Sequence, residues 1–150
     1  MLCKIFDMDK TDDYKYVVIF SLYRGKLLLS RHKARDTWET QGGHVEPGET
    51  TEQAARRELW EESGAKEFTI RPVCGYWAAN DEKDPGANGA IYLAEITELG
   101  PIPESEMAEV RLFEDLPENV TYPWITGPLW RHLQEKHFPS RLDAGSGGML

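Results

Sequence analysis

Glu58, Glu61 and Glu62 follow one another at helical spacing in the stretch R-R-E-L-W-E-E-S-G. On a helix advancing about 100° per residue they share an arc of about 100°, so three carboxylates crowd one face. Glu61 and Glu62 fall in the last turn, where the helix dipole disfavours negative charge by roughly 0.3–1 kcal/mol each. Something cationic must offset that cost. Arg57 can pair with Glu61 at i,i+4, but one or two arginines do not neutralise the whole cluster, whereas a hard divalent cation bound by oxygen ligands does. Carboxylates at this density favour Mg²⁺ or Mn²⁺ over zinc, which takes His or Cys. A bare E-x-x-E-E is more often a solvated face. Here the other side of the helix carries Ala54, Ala55 and Leu59, small enough to let it lie close on a sheet. The Gly42-Gly43 pair lets backbone approach a ligand that a Cβ would obstruct.

The elements that must position this face can be read from breakers and runs. Tyr16 to Leu22 (YVVIFSL) is β-branched and aromatic, and Tyr23-Arg24-Gly25-Lys26 turns the chain into Leu27-Leu28-Leu29, so a hairpin is predicted. Arg31 to Asp36 reads as a polar loop and Trp38 to Gly43 as a short extended piece. Pro47-Gly48 breaks the chain before a helix predicted over 51–63, with Thr50 and Gln53 as a capping box and Gly64 as its stop. Phe68 to Ala79, Ala90 to Ile96 and Glu109 to Phe113 read as strands. A last helix is predicted with Thr126 as N-cap and Pro128 in its first turn, burying the side that carries Leu129, Trp130, Leu133 and His137 and ending near Phe138. One domain is expected over 1–142, with a flexible tail at 143–150 bearing Gly145-Ser146-Gly147-Gly148.

Composition narrows the function classes. The 150 residues are 40% hydrophobic and 29% charged, as in soluble globular chains. A net charge of −9 repels the phosphates of a long nucleic acid, and no dense basic run overrides it. A small anion remains an acceptable ligand if a divalent metal reverses the local field. Met1 to Lys10 has no signal-peptide core and no later run approaches a membrane span, so no membrane partner and a cytoplasmic location are expected. Cys3 and Cys74 lack metal or redox spacing and read as reduced thiols.

The segment GHVEPGETTEQAARRELWEESGA, Gly43 to Ala65, resembles the Nudix box at every defined position: Gly43, Glu49, Arg57-Glu58, Leu59, Glu61-Glu62, Gly64 and Ala65. The resemblance to the Nudix hydrolase family, of its MutT-like members, implies an α+β fold in which a mixed β-sheet is sandwiched between α-helices. It implies metal-dependent hydrolysis of a phosphoanhydride bond in a nucleoside triphosphate or another nucleoside diphosphate linked to a further moiety. Carried over by position, Glu58, Glu61 and Glu62 are metal ligands, the carbonyl of Gly42 or Gly43 adds another, Arg57 orients the carboxylates, and Glu49 supports them near the helix start. The implied mechanism is attack of water on one phosphorus, with cations spreading charge over the phosphate oxygens and a carboxylate acting as base.

Beyond the box, L-L-L-S-R and E-S-E-M-A-E-V-R-L-F-E-D-L-P-E are also of a MutT-like kind. Many members use a further glutamate well past the box. Of Glu95, Glu104, Glu106 and Glu109, Glu106 is the choice, as ligand or base, with Glu109 next. Arg31 and His32 stand where a phosphate-binding cation is often placed, or else in a solvated loop. Trp38 reads as core, and Trp77 and Tyr122 either stack a base or are buried. Asn80 and Asp81 stand where a proline would suggest ADP-ribose, and Asp81, Glu82 and Lys83 where a tyrosine would suggest dinucleoside polyphosphates. An ADP-ribose or nucleotide-sugar pyrophosphatase is the rival within the enzyme class, often as a homodimer. A non-catalytic nucleotide-binding module is the rival outside it; such modules typically lose box glutamates, and this chain keeps them all.

Overall fold

The structure, a computed structural model, describes residues 1–137; the predicted tail at 143–150 and the predicted helix end at Phe138 lie outside the described residues. Eight strands form one mixed sheet: β1 (Leu2–Phe6), β2 (Tyr16–Tyr23), β3 (Lys26–His32), β4 (Trp38–Glu39), β5 (Gln41–His44), β6 (Ala65–Ala79), β7 (Ala87–Leu99) and β8 (Met107–Phe113). Helix α1 (Thr51–Ser63) joins β5 to β6, and α2 (Pro123–His137) follows β8. The strand order is β1-β6-β7-β2-β3-β4, with β5 also on β2 and β8 also on β3. Among the described residues the β2–β7 pairing is the one parallel pairing of two strands.

Period-two alternation in β2 and β3 produces a core on each face of the sheet. Val17, Ile19 and Leu28 pack with Ala54, Ala55 and Leu59 of α1. Phe20, Leu22, Leu27 and Leu29 pack with Leu129, Trp130 and Leu133 of α2, the Phe20 and Trp130 rings stacking at 5.6 Å. The sheet is therefore sandwiched between helices, and the fold is α+β as expected. Trp38 is core, 5% exposed and edge-on to Phe113 at 5.2 Å.

Three local expectations change. β1 was not anticipated, because an edge strand mixing Lys4 with Cys3 and Ile5 takes its order from pairing with β6. Arg31 and His32 belong to β3, since β8 extends the ladder to them. Helix α2 starts at Pro123, so Thr126 is inside it and buried and is not its N-cap. Pro123 supplies a fixed φ where no N–H is needed, and the Tyr122 carbonyl accepts from Ile125 and Thr126 N–H at 3.1 and 2.8 Å. Pro128 then lies beyond the first turn and cannot donate to the Trp124 carbonyl.

Candidate active site

Helix α1 is set by its ends. The Thr50 hydroxyl accepts from Gln53 N–H at 3.1 Å, while the Gln53 side chain accepts from Thr50 N–H at 2.9 Å. Gly64 closes the helix at φ +82°, in the left-handed region, and a Cβ there would come within 2.6 Å of the Gly100 carbonyl. Between these caps the helix presents Glu58 and Glu62 toward the Gly42–Gly43 backbone, with Arg57 and Glu61 beside them.

Arg57 is the hub of the cluster. Its Nε and Nη2 donate to the two oxygens of Glu49 at 2.7 and 2.9 Å, and Nη1 donates to Glu58 at 2.8 Å. The expected pairing with Glu61 is present but longer, at 3.5 Å. Nη2 also reaches the His44 carbonyl at 3.1 Å, tying the helix to β5. The guanidinium holds the Glu49 carboxyl down at about 2.

Glu62 is fixed at both ends. The Gly42 N–H donates to its carboxylate at 2.7 Å, and the Ser30 hydroxyl donates to its backbone carbonyl at 2.8 Å. Burial, with the neighbouring charges of Glu58, Glu39 and Glu61, pushes the Glu62 carboxyl up to about 8. Burial also raises Glu58, against the pull of Arg57. Gly42 must be glycine, because a Cβ would sit 2.3 Å from the Val17 carbonyl; at Gly43 it would meet the Glu58 carboxylate at 2.7 Å.

This excess of negative charge in hard oxygen donors suits a divalent cation. Among the described residues no three His, Cys, Asp or Glu side chains already converge on one point as a finished cage. Glu58, Glu61 and Glu62, with the Gly43 carbonyl on the facing strand, are the groups that could hold one.

A cleft of about 400 Å³ opens beside these residues, bordered by Gly42, Gly43 and His44 and walled by Tyr16, Tyr76, Tyr122 and Leu129. The Tyr16 and His44 rings meet at 4.6 Å. Tyr122 is 43% exposed at the mouth. Trp77 is not brought to this cleft: its indole N–H donates to the Pro85 carbonyl at 3.0 Å, and Lys4 lies over its ring.

Arg31, His32, Glu106 and Glu109 gather at the β3–β8 edge. Arg31 pairs with Glu109 at 3.0 Å and His32 with Glu106 at 3.4 Å, the Glu106 side chain being 85% exposed. Among the described residues none of the four makes a hydrogen bond or ion pair with Glu58, Glu61 or Glu62. Glu95 is exposed on β7.

Two features escaped the sequence reading. Glu39 stands in the wall of the cleft. Gln41, fully buried, donates to the Leu28 carbonyl and the Ser30 hydroxyl at 3.2 and 2.9 Å and accepts from the Ser21 hydroxyl at 2.6 Å. The available signal was three polar residues, Ser21, Ser30 and Gln41, in otherwise apolar extended runs.

Residues 14–125 match the NUDIX domain. The chain is 36% identical over 118 residues to YtkD of Bacillus subtilis, provisionally assigned as an 8-oxo-dGTP diphosphatase, covering 77% of this chain and 72% of that protein. It is 46% identical over 52 residues to the oxidized purine nucleoside triphosphate hydrolase of Danio rerio, 33% of each chain. A crystal structure of the Bacillus subtilis pyrophosphohydrolase BsRppH resembles it with a TM-score of 0.76 at 29% identity, covering 91% of this chain and 92% of that one. The domain match spans most of the chain and takes in the whole arginine-centred carboxylate cluster, so the chain belongs to the Nudix family of hydrolases, which act on nucleoside diphosphates linked to another moiety and generally need a divalent metal.

Proposed function

We propose that this chain, as one domain over 1–142, hydrolyses small nucleoside triphosphates to the monophosphate and pyrophosphate in the presence of Mg²⁺ or Mn²⁺. The observation that carries the reading is the gathering of Glu58 and Glu61 on Arg57, with Glu62 held by the Gly42 N–H, at the Gly42–Gly43 edge of an aromatic-walled cleft. The cleft is large enough for a nucleoside, and its Gly42–Gly43 edge is where the triphosphate would meet the carboxylates. Similarity to YtkD, provisionally assigned as an 8-oxo-dGTP diphosphatase, and to the oxidized purine nucleoside triphosphate hydrolase of Danio rerio supports this class.

Glu58, Glu61, Glu62 and the Gly43 carbonyl would hold a divalent cation, which would supply charge neutralisation at the phosphate oxygens. The chain's own residues do the rest. Arg57 keeps Glu58 and Glu61 turned toward one another, Gly42 N–H orients Glu62, and Glu106 is the outer carboxylate proposed as further ligand or base. Arg31 and His32 are proposed to meet the phosphates once freed from Glu109 and Glu106, and Tyr122 to border the base; Trp77 has no such role in this geometry.

The net charge of −9 supports small nucleotides over long nucleic acid, and a cytoplasmic location is part of the proposal. No described helix is long and apolar enough to cross a membrane. A second reading, action on the 5′-triphosphate end of RNA, is favoured by matches of 34% and 40% identity to RNA pyrophosphohydrolases over 62 and 48 residues. The test is a hydrolysis screen of nucleoside triphosphates, ADP-ribose, nucleotide sugars and a 5′-triphosphorylated oligonucleotide, with Mg²⁺ and then Mn²⁺. Monophosphate plus pyrophosphate from free triphosphates is the expected result; two monoesters from ADP-ribose alone would refute it.

A further inference from the structure

The α1 face of the sheet is apolar along Val17, Ile19 and Leu28 and turns polar beneath the last turn of the helix, at Ser21, Ser30 and Gln41. Strand alternation places the three there. Ser21 lies two residues past Ile19 on β2, Ser30 two past Leu28 on β3, and Gln41 is paired with Ile19 across β2 and β5. All three are fully buried. The demand for polar groups begins at the helix end, where the last carbonyls have no intrahelical donor. The Trp60 carbonyl accepts from Gly64 N–H at 2.8 Å, but that of Glu62 is met from the sheet, by the Ser30 hydroxyl at 2.8 Å. This bond sets the direction of the others. A carbonyl only accepts, so Ser30 gives its single proton to Glu62 and its oxygen is left to accept from Gln41. The Gln41 amide therefore turns its NH₂ to Ser30 at 2.9 Å and to the Leu28 carbonyl at 3.2 Å, and its oxygen accepts from the Ser21 hydroxyl at 2.6 Å. Turning the amide over would draw the Ser30 proton away from Glu62.

We propose that Ser30 and Gln41 are positioning residues that hold Glu62 where a divalent cation would meet its carboxylate, and that Ser21 only supports Gln41. This rests on the reading of Glu58, Glu61 and Glu62 as the cation's ligands. Gln41 acts on Glu62 by two routes. It fixes Ser30, which holds the Glu62 carbonyl, and it is joined to Gly42, whose N–H donates to the Glu62 carboxylate at 2.7 Å. A single contact would dock the helix end on the sheet. Contacts at both ends of one residue also fix where its carboxylate points. No other restraint of this kind is present: among the described residues no ion pair orients Glu62, whereas Glu58 and Glu61 lie against Arg57 at 2.8 and 3.5 Å. The aim of Glu62 thus depends on neutral donors buried in the sheet.

The test must separate positioning from plain support of the fold, and Ser21 supplies the matched control. Equilibrium Mn²⁺ binding to the full chain, read by electron paramagnetic resonance, is measured for the wild type, Ser30→Ala, Gln41→Met and Ser21→Ala. Urea denaturation and amide hydrogen exchange at Gly42 are followed in the same proteins without metal. Each variant takes one member from the same buried network, so all three should lose stability. Ser30→Ala and Gln41→Met should also weaken Mn²⁺ binding roughly 10–100-fold and speed exchange at Gly42. Ser21→Ala leaves the Ser30 proton and both amide protons of Gln41 in place, so its Mn²⁺ affinity should stay within about threefold of wild type. In hydrolysis, the Mg²⁺ needed for half-maximal turnover should rise by the same factor in the first two variants, with the nucleotide KM at saturating Mg²⁺ nearly constant. A loss of Mn²⁺ affinity that follows the loss of stability in all three variants would overturn the inference, because the network would then serve the fold alone. Wild-type Mn²⁺ affinity in Ser30→Ala would overturn it too, and would leave the cation reading standing. If Gln41→Met does not fold, the contrast between Ser30→Ala and Ser21→Ala decides. A wild-type chain that binds no Mn²⁺ would sink the cation reading and this inference with it.

Discussion

Replacing Glu62 by Gln in the metal-free protein removes a carboxyl that the fold holds at about 8, against an ordinary value of 4.5. The sign follows from which state binds the proton. Below pH 4.5 folded and unfolded chains are both protonated at this site and nothing is lost. As pH rises, the unfolded chain ionises first while the folded one keeps its proton, so wild-type stability falls until about pH 8 and then levels off. With 1.36 kcal/mol per pH unit, the wild type gives up about 2 kcal/mol at pH 6 and about 4 kcal/mol at pH 8. Glutamine keeps an oxygen for the Gly42 N–H and has nothing to titrate. The metal-free variant should therefore melt above the metal-free wild type, with the gap widening by about 2 kcal/mol, or roughly 4–8 °C, between pH 6 and pH 8. Mg²⁺ should reverse the order, stabilising the wild type and leaving the variant almost unmoved. Differential scanning calorimetry with EDTA or with Mg²⁺ at the two pH values measures all four gaps. A gap independent of pH would refute the reasoning, because it would mean that Glu62 is ionised in the fold and already neutralised by a protein cation.

The remaining predictions concern the groups around that carboxylate. Arg57→Lys keeps the charge but cannot span Glu49 bidentately while holding Glu58, so turnover should fall roughly 10–100-fold at saturating Mg²⁺, read as kcat with KM nearly constant. Gln41→Leu leaves the Ser21 and Ser30 hydroxyls and the Leu28 carbonyl short of a partner, and urea denaturation should show a loss of about 1–3 kcal/mol. Gly42→Ala drives a methyl into the Val17 carbonyl 2.3 Å away, so the β2–β5 pairing must open, and melting and activity should fall together. Among Glu106→Gln, Glu109→Gln and Glu95→Gln, the first should lose 10²–10⁴ in kcat by the effect of removing a ligand or general base. Wild-type turnover in Glu106→Gln would move that role to whichever of the other two fails.

The helix proposed to carry the chemistry was legible because its signals are local. Thr50, Gln53 and Gly64 act within one turn of either end, and the period of Ala54, Ala55 and Leu59 fixes the buried face. What the helical period could not give was the partner of Arg57. Spacing points to Glu61, four residues on, yet the shorter bonds go to Glu49, eight residues back in the loop before the helix, and to the adjacent Glu58. Glu39 was hidden for a related reason. It sits in a two-residue strand, and of the side chains that fix it Arg35 is four residues away and Thr121 eighty-two. Trp77 stands apart from the cleft for a local reason: strand alternation puts Tyr76 in the cleft and turns Trp77 away from it.

Those long-range contacts explain how a helix can afford three glutamates in and near its last turn. The helix dipole and mutual repulsion work against the cluster, and Arg57 is committed largely to Glu49 and Glu58. Glu62 is instead held by neutral donors on the sheet, the Gly42 N–H on its carboxylate and the Ser30 hydroxyl on its backbone carbonyl. Ser30 is oriented by Gln41, and Gln41 by Ser21 and the Leu28 carbonyl, all buried where β2, β3 and β5 meet. With every buried polar side-chain atom in the described residues satisfied, this network fixes position without supplying positive charge. The site is thereby preorganised but electrostatically incomplete. A cation arriving there needs little reordering of Glu62, and the charge it brings is the one the fold has withheld.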